Sequence, residues 1–177
     1  MSNDAVNRVV SFVGTSNSGK TTLLERVIGD LKQRGYRVGV VKHTYHEGKV
    51  DKPGKDTWRF SRAGCDVVAL ASPSQLALIE RLDVEAGLAE IVARLEGKVD
   101  IVLTEGYKEL DTPKVLVRGE AEEHVPSYRG QVLVTVTSRS APSGARLFTD
   151  EDVDGVVDLL TERLVSRPTS EEMVEAV

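Results

Sequence analysis

The chain predicts an α/β fold, a mainly parallel sheet between layers of helices with a hairpin added to it, and three observations predict it. Apolar, β-branched runs of strand length alternate with stretches whose apolar residues recur at helical spacing, as expected of successive strand–helix–strand units. A glycine-containing turn from Gly14 to Thr21 joins the first of these strands to the first helix. Two short apolar runs, Val67 to Ala71 and Gln75 to Ile79, are separated only by Ser72-Pro73-Ser74. That turn signal suits a hairpin and is too short for a helical crossover.

Taken in order, Arg8 to Val13 is a β-branched run that predicts a buried strand. From Lys20 to Arg34, Leu23, Leu24, Val27, Ile28 and Leu31 fall on one helical face, and Gly35 supplies the stop. Arg37 to Lys42 predicts a second strand, His43 to Gly54 a polar loop, and Lys55 to Ala63 a short helix closed by Gly64. After the hairpin, Val84 to Leu95 is amphipathic, with Leu88, Ile91, Val92 and Leu95 aligned. Val99 to Thr104 is a nearly continuous apolar strand ending at Glu105, and Val115 to Val117 and Gln131 to Val136 predict two more. Val153 to Leu164 predicts a closing helix. No repeat or linker interrupts the pattern, so residues 1–165 are expected to form one domain, followed by a loose tail over 166–177.

Composition narrows the class. With 40% apolar and 29% charged residues, the chain has the balance of a globular protein with a substantial core. The net charge of -5 argues against a general nucleic-acid or anionic-membrane binder, so any anionic ligand needs a local site. No apolar run approaches the roughly 18 residues of a membrane span, and Met1-Ser2-Asn3-Asp4 lacks the basic start of a signal peptide. The single cysteine, Cys65, excludes an internal disulfide framework. These features together lead to the expectation of a cytoplasmic protein.

Gly14-Thr15-Ser16-Asn17-Ser18-Gly19-Lys20-Thr21 fits the Walker A pattern of glycine, four variable residues, glycine, lysine and threonine. It predicts a P-loop, and with it a P-loop NTPase-like three-layer fold. The glycines allow close backbone approaches, and successive N–H groups cradle phosphate oxygens at the positive end of the following helix. Lys20 is expected to reach the β- and γ-phosphates, and the Thr21 hydroxyl to ligate Mg²⁺. Thr22 either faces the nucleotide or caps and packs the helix. A P-loop also requires a carboxylate at the end of a neighbouring strand. Glu105 meets that requirement, whereas Asp100 opens the same strand and belongs at the opposite end of the sheet.

Lys42-His43-Thr44-Tyr45-His46 leaves the second strand at its carboxyl end, and the polar stretch to Lys55-Asp56 resembles a lid. Asp51 and Asp56 are candidates for Mg²⁺-bound water, and Lys42 or Lys55 for phosphate charge. Asp56 is equally suited to capping the helix that follows. Lys52, Lys55, Arg59 and Arg62 form a basic cluster in an acidic chain, either a solvated helix face or a dock for an anion or a partner. His43, His46 and Cys65 have a spacing compatible with a transition metal, but three ligands without a second cysteine pair are a weak signal.

Four segments occur in order: Gly14 to Thr22, Val41-Lys42-His43-Thr44, Asp51 to Arg59, and Thr104-Glu105-Gly106-Tyr107-Lys108. Together with Ala63-Gly64 and Ala71-Ser72-Pro73 they resemble the MobB family, the molybdopterin-guanine dinucleotide biosynthesis protein B, over about two-thirds of the chain. The resemblance implies a GTP-binding adapter with weak Mg²⁺-dependent GTPase activity, usually a homodimer with hairpin contacts. Its implied partners are a MobA-type guanylyltransferase and molybdopterin. It assigns nucleotide and Mg²⁺ binding to Gly19, Lys20, Thr21 and Glu105, with Asp56 a further catalytic candidate. The base-reading Asn-Lys-x-Asp tetrapeptide of many GTPases is missing: Thr137-Ser138-Arg139-Ser140 follows the late strand. Guanine preference is thus implied by the resemblance, and the residues themselves leave ATP open. Two other readings are a small-molecule kinase with Asp51 or Asp56 as base, and a metallochaperone GTPase using His43, His46 and Cys65.

Overall fold

The computed structural model of the chain describes residues 8–45, 48, 50–119, 127–137, 147–148 and 152–164. In chain order its elements are β1 (Val9–Val13), α1 (Lys20–Gln33), β2 (Val38–Lys42), α2 (Asp56–Ala63), β3 (Val67–Ala71) and β4 (Leu76–Glu80). There follow α3 (Leu88–Leu95), β5 (Ile101–Glu105), β6 (Lys114–Arg118), β7 (Val132–Thr137), β8 (Leu147–Phe148) and α4 (Val153–Leu164). The chain divides into two compact units, Met1–His43 with Ile91–Val177, and Thr44–Glu90. No linker or repeat in the sequence marks either boundary within the expected domain over 1–165. The expected tail, 166–177, lies outside the described residues.

In the first unit six strands lie in the order β2-β5-β1-β6-β7-β8, and every pairing is parallel. All five residues of β1 are buried, which is why Val9-Val10-Ser11-Phe12-Val13 reads as a continuous strand and not an alternating one. Register sets Val10 opposite Leu103, and Phe12 opposite both Glu105 and Val115. With period-two alternation, Val10, Phe12, Ile101, Leu103, Val115, Val117, Val134 and Val136 share one face of the sheet. They form the core with Leu23, Leu24, Val27 and Leu31 of α1 and Val156, Val157, Leu160 and Leu164 of α4. Burying each such side chain is worth about 1.5–3 kcal/mol against leaving it exposed. Arg34 clasps the two helices, donating to Asp30 at 2.9 Å and to the Asp158 carboxylate.

The opposite face is polar at its centre. Ser11, Thr104 and Lys114 project there and are buried, covered by the loop that runs from Gly106 to Pro113. The Thr104 hydroxyl donates to Ser11 at 2.9 Å, and the Ser11 and Thr112 hydroxyls are bonded at 2.7 Å. Beside this row, Leu95 of α3 packs against Gly39, where a Cβ would lie 3.2 Å from the leucine methyl.

In the second unit α2 contacts β3, and β3 and β4 form an antiparallel two-stranded sheet. The hairpin is therefore present, but it closes on itself and does not join the six strands. Its turn is closed by the Ser72 N–H donating to the Gln75 carbonyl at 2.8 Å. Helix α3 begins at Leu88, four residues later than the apolar spacing predicts, immediately after Gly87, a poor helix former. Strand β8 was not predicted, because two residues carry no readable period.

Candidate functional site

The loop from Gly14 to Gly19 leaves β1 at its carboxyl end, where crossovers run to opposite sides: α1 leads to β2, and the chain after β5 passes to β6. Gly14 is required by crowding, because a Cβ there would sit 2.2 Å from the Val117 carbonyl oxygen. Gly19 adopts φ +89° as the residue preceding α1, and Asn17 takes φ +63° within the loop. Left-handed geometry at these points is what turns successive N–H groups toward one concavity. No side chain caps α1 and no acid stands in its first turn, so the helix N-terminus keeps its attraction for an anion.

Lys20 folds over this loop, donating to the Thr15 carbonyl and, at 3.4 Å, to Ser18 Oγ. Thr21 Oγ1 donates to Glu105 Oε2 at 3.0 Å, bringing together the two residues expected to serve magnesium. The carboxylate's other oxygen lies 3.1 Å from Lys42 Nζ at the end of β2. Glu105 is only 16% exposed at its side chain, whereas Lys42 is 66% exposed. Parallel pairing accounts for the convergence, because the β2–β5 register sets Lys42 opposite Glu105. Asp100 sits at the other end of β5, where Arg37 grips it through Nη2 at 2.7 Å and backbone N–H at 2.7 Å. Of the two acids, only Glu105 reaches the loop.

Two oxygen donors of hard character, one hydroxyl and one carboxylate, suit Mg²⁺, which keeps its remaining positions for water and phosphate. The loop's inward backbone and the ammonium of Lys20 suit a polyphosphate.

Of the remaining lid candidates, His43 belongs to the first unit, and Asp51, Lys55 and Asp56 to the second. Asp56 is the first residue of α2 and does not cap it; Lys55 occupies the cap position with φ -77° and ψ 159°. The Asp56 carboxylate lies in the first turn, 3.7 Å from Arg59. Asp51 accepts from the Lys52 N–H at 2.7 Å, and the Arg62 guanidinium stands 6.0 Å above the Trp58 ring. His43 stacks on Tyr107 with centroids 4.5 Å apart, and its backbone N–H donates to the Glu105 carbonyl at 3.0 Å. Among the described residues no group of three His, Cys, Asp or Glu is arranged to hold a metal. His46 and Ser138 to Ser140 lie outside those residues.

Two sets of residues escape the sequence reading. The first surrounds Lys114, which is fully buried and donates to the carbonyls of Tyr107 at 3.1 Å and Leu110 at 2.8 Å, and to Thr112 Oγ1. Its ammonium anchors the loop that begins at Glu105. Burial pushes its pKa down from 10.5 to about 8, with Asp111 opposing that shift. A lysine opening the apolar run Val115-Leu116-Val117 was the available signal. The second is a cavity of about 200 Å³ beside the loop, lined by Ser18, Gly19, Thr22, Arg26, Arg118 and Thr137 among others. Ser18, Gly19 and Thr22 belong to the loop motif, but Arg26 of α1, Arg118 of β6 and Thr137 of β7 are distant in sequence and left no local motif.

Comparison with known proteins places this arrangement. The family model described as molybdopterin guanine dinucleotide synthesis protein B matches residues 9–138. The molybdopterin-guanine dinucleotide biosynthesis adapter protein of Haemophilus influenzae is 37% identical over 132 residues, covering 73% of this chain and 74% of that protein. The adapter protein of the same name from Escherichia coli is 31% identical over 160 residues, 87% of this chain and 91% of its own length. The crystal structure of Bacillus subtilis MobB matches with a TM-score of 0.73 at 30% identity, covering 90% of this chain and 99% of that one.

Proposed function

The chain belongs to the MobB family, and from that premise we propose that it is a GTP-binding adapter in molybdopterin guanine dinucleotide biosynthesis, with at most weak Mg²⁺-dependent GTPase activity. The observation carrying the nucleotide half is the contact of Thr21 Oγ1 with Glu105 Oε2 at 3.0 Å beside a loop crowded enough to demand Gly14. Gly14 to Gly19 and Thr22 surround the phosphates, Lys20 neutralises them, and Thr21 and Glu105 hold the cation. When bound, magnesium supplies positive charge against the phosphate oxygens. The Glu105 carboxylate is engaged by a hydroxyl and an ammonium, the setting of an ion ligand more than of a base that activates water. Slow turnover follows from that, and a protein that retains its nucleotide suits an adapter.

The adapter half rests on the relatives, whose names describe that role. Its partners in this reading are a guanylyltransferase of the MobA type and molybdopterin, within the cytoplasm. Among the described residues no helix is long and apolar enough to cross a membrane. Homodimerisation is part of the reading, supported by the exposed Val67, Leu76 and Leu78 of the hairpin.

Equilibrium binding of GTP with Mg²⁺ to the wild type and to Lys20→Ala tests the nucleotide half. The expected result is an affinity lower by about tenfold to a hundredfold in the variant, with unchanged circular dichroism. Equal affinity in a folded variant would overturn the phosphate assignment, and fast phosphoryl transfer to an acceptor would overturn the adapter assignment.

A further inference from the structure

The cavity beside the phosphate loop shares Ser18, Gly19 and Thr22 with the phosphate site, and the rest of its lining has no role assigned so far. At about 200 Å³ it is smaller than the roughly 300–1,000 Å³ of pockets that enclose whole drug-sized ligands. It suits one flat ring system. Ser18 and Gly19 line both this cavity and the phosphate loop, so one ligand can occupy the two together. Its floor and walls are apolar or hydroxylic, from Leu23, Val117, Val136, Thr22 and the buried Thr137. Its charged lining is cationic only: Arg118 at the end of β6, half-buried, and Arg26 on the exposed side of α1. No carboxylate lines it among the described residues.

Such a lining selects for hydrogen-bond acceptors. A guanine presents O6 and N7 side by side, the edge that an arginine fork meets with two donated bonds. Adenine presents N7 beside an amino donor, which faces the same fork unfavourably. The N1–H and 2-amino edge of guanine asks for acceptors, which neither arginine can supply, and no carboxylate lines the cavity among the described residues.

Resting on the GTP-binding reading above, the geometry points to this cavity as the base subsite, in which Arg118 recognises guanine through O6 and N7 and not through its 2-amino edge. Specificity thereby arises at the end of β6 without the Asn-Lys-x-Asp tetrapeptide.

The test uses the full chain with Mg²⁺ and four nucleotides: GTP, ITP, 7-deaza-GTP and ATP. ITP lacks only the 2-amino group and is expected to bind within about twofold of GTP. Both 7-deaza-GTP and ATP should bind about tenfold or more weakly, the loss of one good contact to a base edge. Arg118→Leu should bring GTP down to about the level of ATP without weakening ATP, and Arg118→Lys should restore part of the preference. A large loss on going from GTP to ITP would overturn the assignment, as would unchanged selectivity in a folded Arg118→Leu protein. If no triphosphate binds in a Lys20-dependent manner, the GTP-binding reading itself fails. Lys20-dependent binding with GTP and ATP equal refutes the base subsite alone.

Discussion

Replacing Lys114 by methionine removes a buried ammonium while keeping most of its aliphatic volume, and two opposing effects follow. Lowering the pKa from 10.5 to about 8 corresponds to about 3 kcal/mol, net of the opposing Asp111, by which the folded state disfavours the charged amine. The substitution relieves that strain. It also deletes three charge-assisted hydrogen bonds, to Tyr107 O, Leu110 O and Thr112 Oγ1, of about 1.5–3 kcal/mol each. Both carbonyls keep a backbone partner, from Leu110 N at 3.2 Å and Thr112 N at 2.9 Å, so the lower end of that range applies. The net expectation is a destabilisation of about 1–2 kcal/mol near neutral pH.

The pH dependence is the sharper signature. Because the folded pKa lies below the unfolded one, the unfolded chain binds more protons between about 8 and 10.5, and stability rises with pH in that window. The gain is complete above about 10.5 and is lost as pH falls through about 8. From about pH 7 to about pH 9.5 it amounts to about 2 kcal/mol. Urea unfolding followed by circular dichroism at the two pH values, on wild type and Lys114→Met, isolates it from other titrating groups. The wild type should gain that amount over the variant. Parallel pH profiles in the two proteins would refute the reasoning.

Three further outcomes follow from the site and the hairpin. Glu105→Gln should weaken the Mg²⁺ dependence of GTP binding more than binding itself, while Lys42→Gln, which removes a rival cation from the same carboxylate, should tighten apparent Mg²⁺ affinity by about two- to fivefold in magnesium titrations. A slackened affinity in Lys42→Gln would show that the lysine serves the ligand and not the acid. Light scattering should report a dimer for the wild type and a monomer for Leu78→Lys; a monomeric wild type would remove the homodimer from the proposal.

The first unit was legible because its signals are local. Strand runs such as Val9 to Val13 and the loop Gly14 to Thr21 show their structure over a few neighbouring residues. Strand direction alone put Glu105 at the loop end of β5 and Asp100 at the other, where Asp100 pairs with Arg37. What stayed hidden depends on pairing across the chain. Lys114 finds its acceptors only once the loop after β5 folds back over β1, and Arg118 comes to line one cavity with Ser18 and Thr137 only when β6 and β7 lie beside α1. The hairpin was visible, but whether it would join the larger sheet depends on edges that no local pattern encodes.

The row of hydroxyls from Thr104 through Ser11 to Thr112, ending on Lys114, also governs how the strands can be assembled incorrectly. A slip of one residue shifts a strand by about 3.3 Å and reverses every side chain. For β6 that would turn Lys114 into the face held by Phe12 and Leu103, where an ammonium finds no acceptor. For β5 it would carry Glu105 away from Thr21. Misaligned sheets are thus penalised at their centre, and the same alignment that satisfies the buried amine delivers the acid to the end of the phosphate loop.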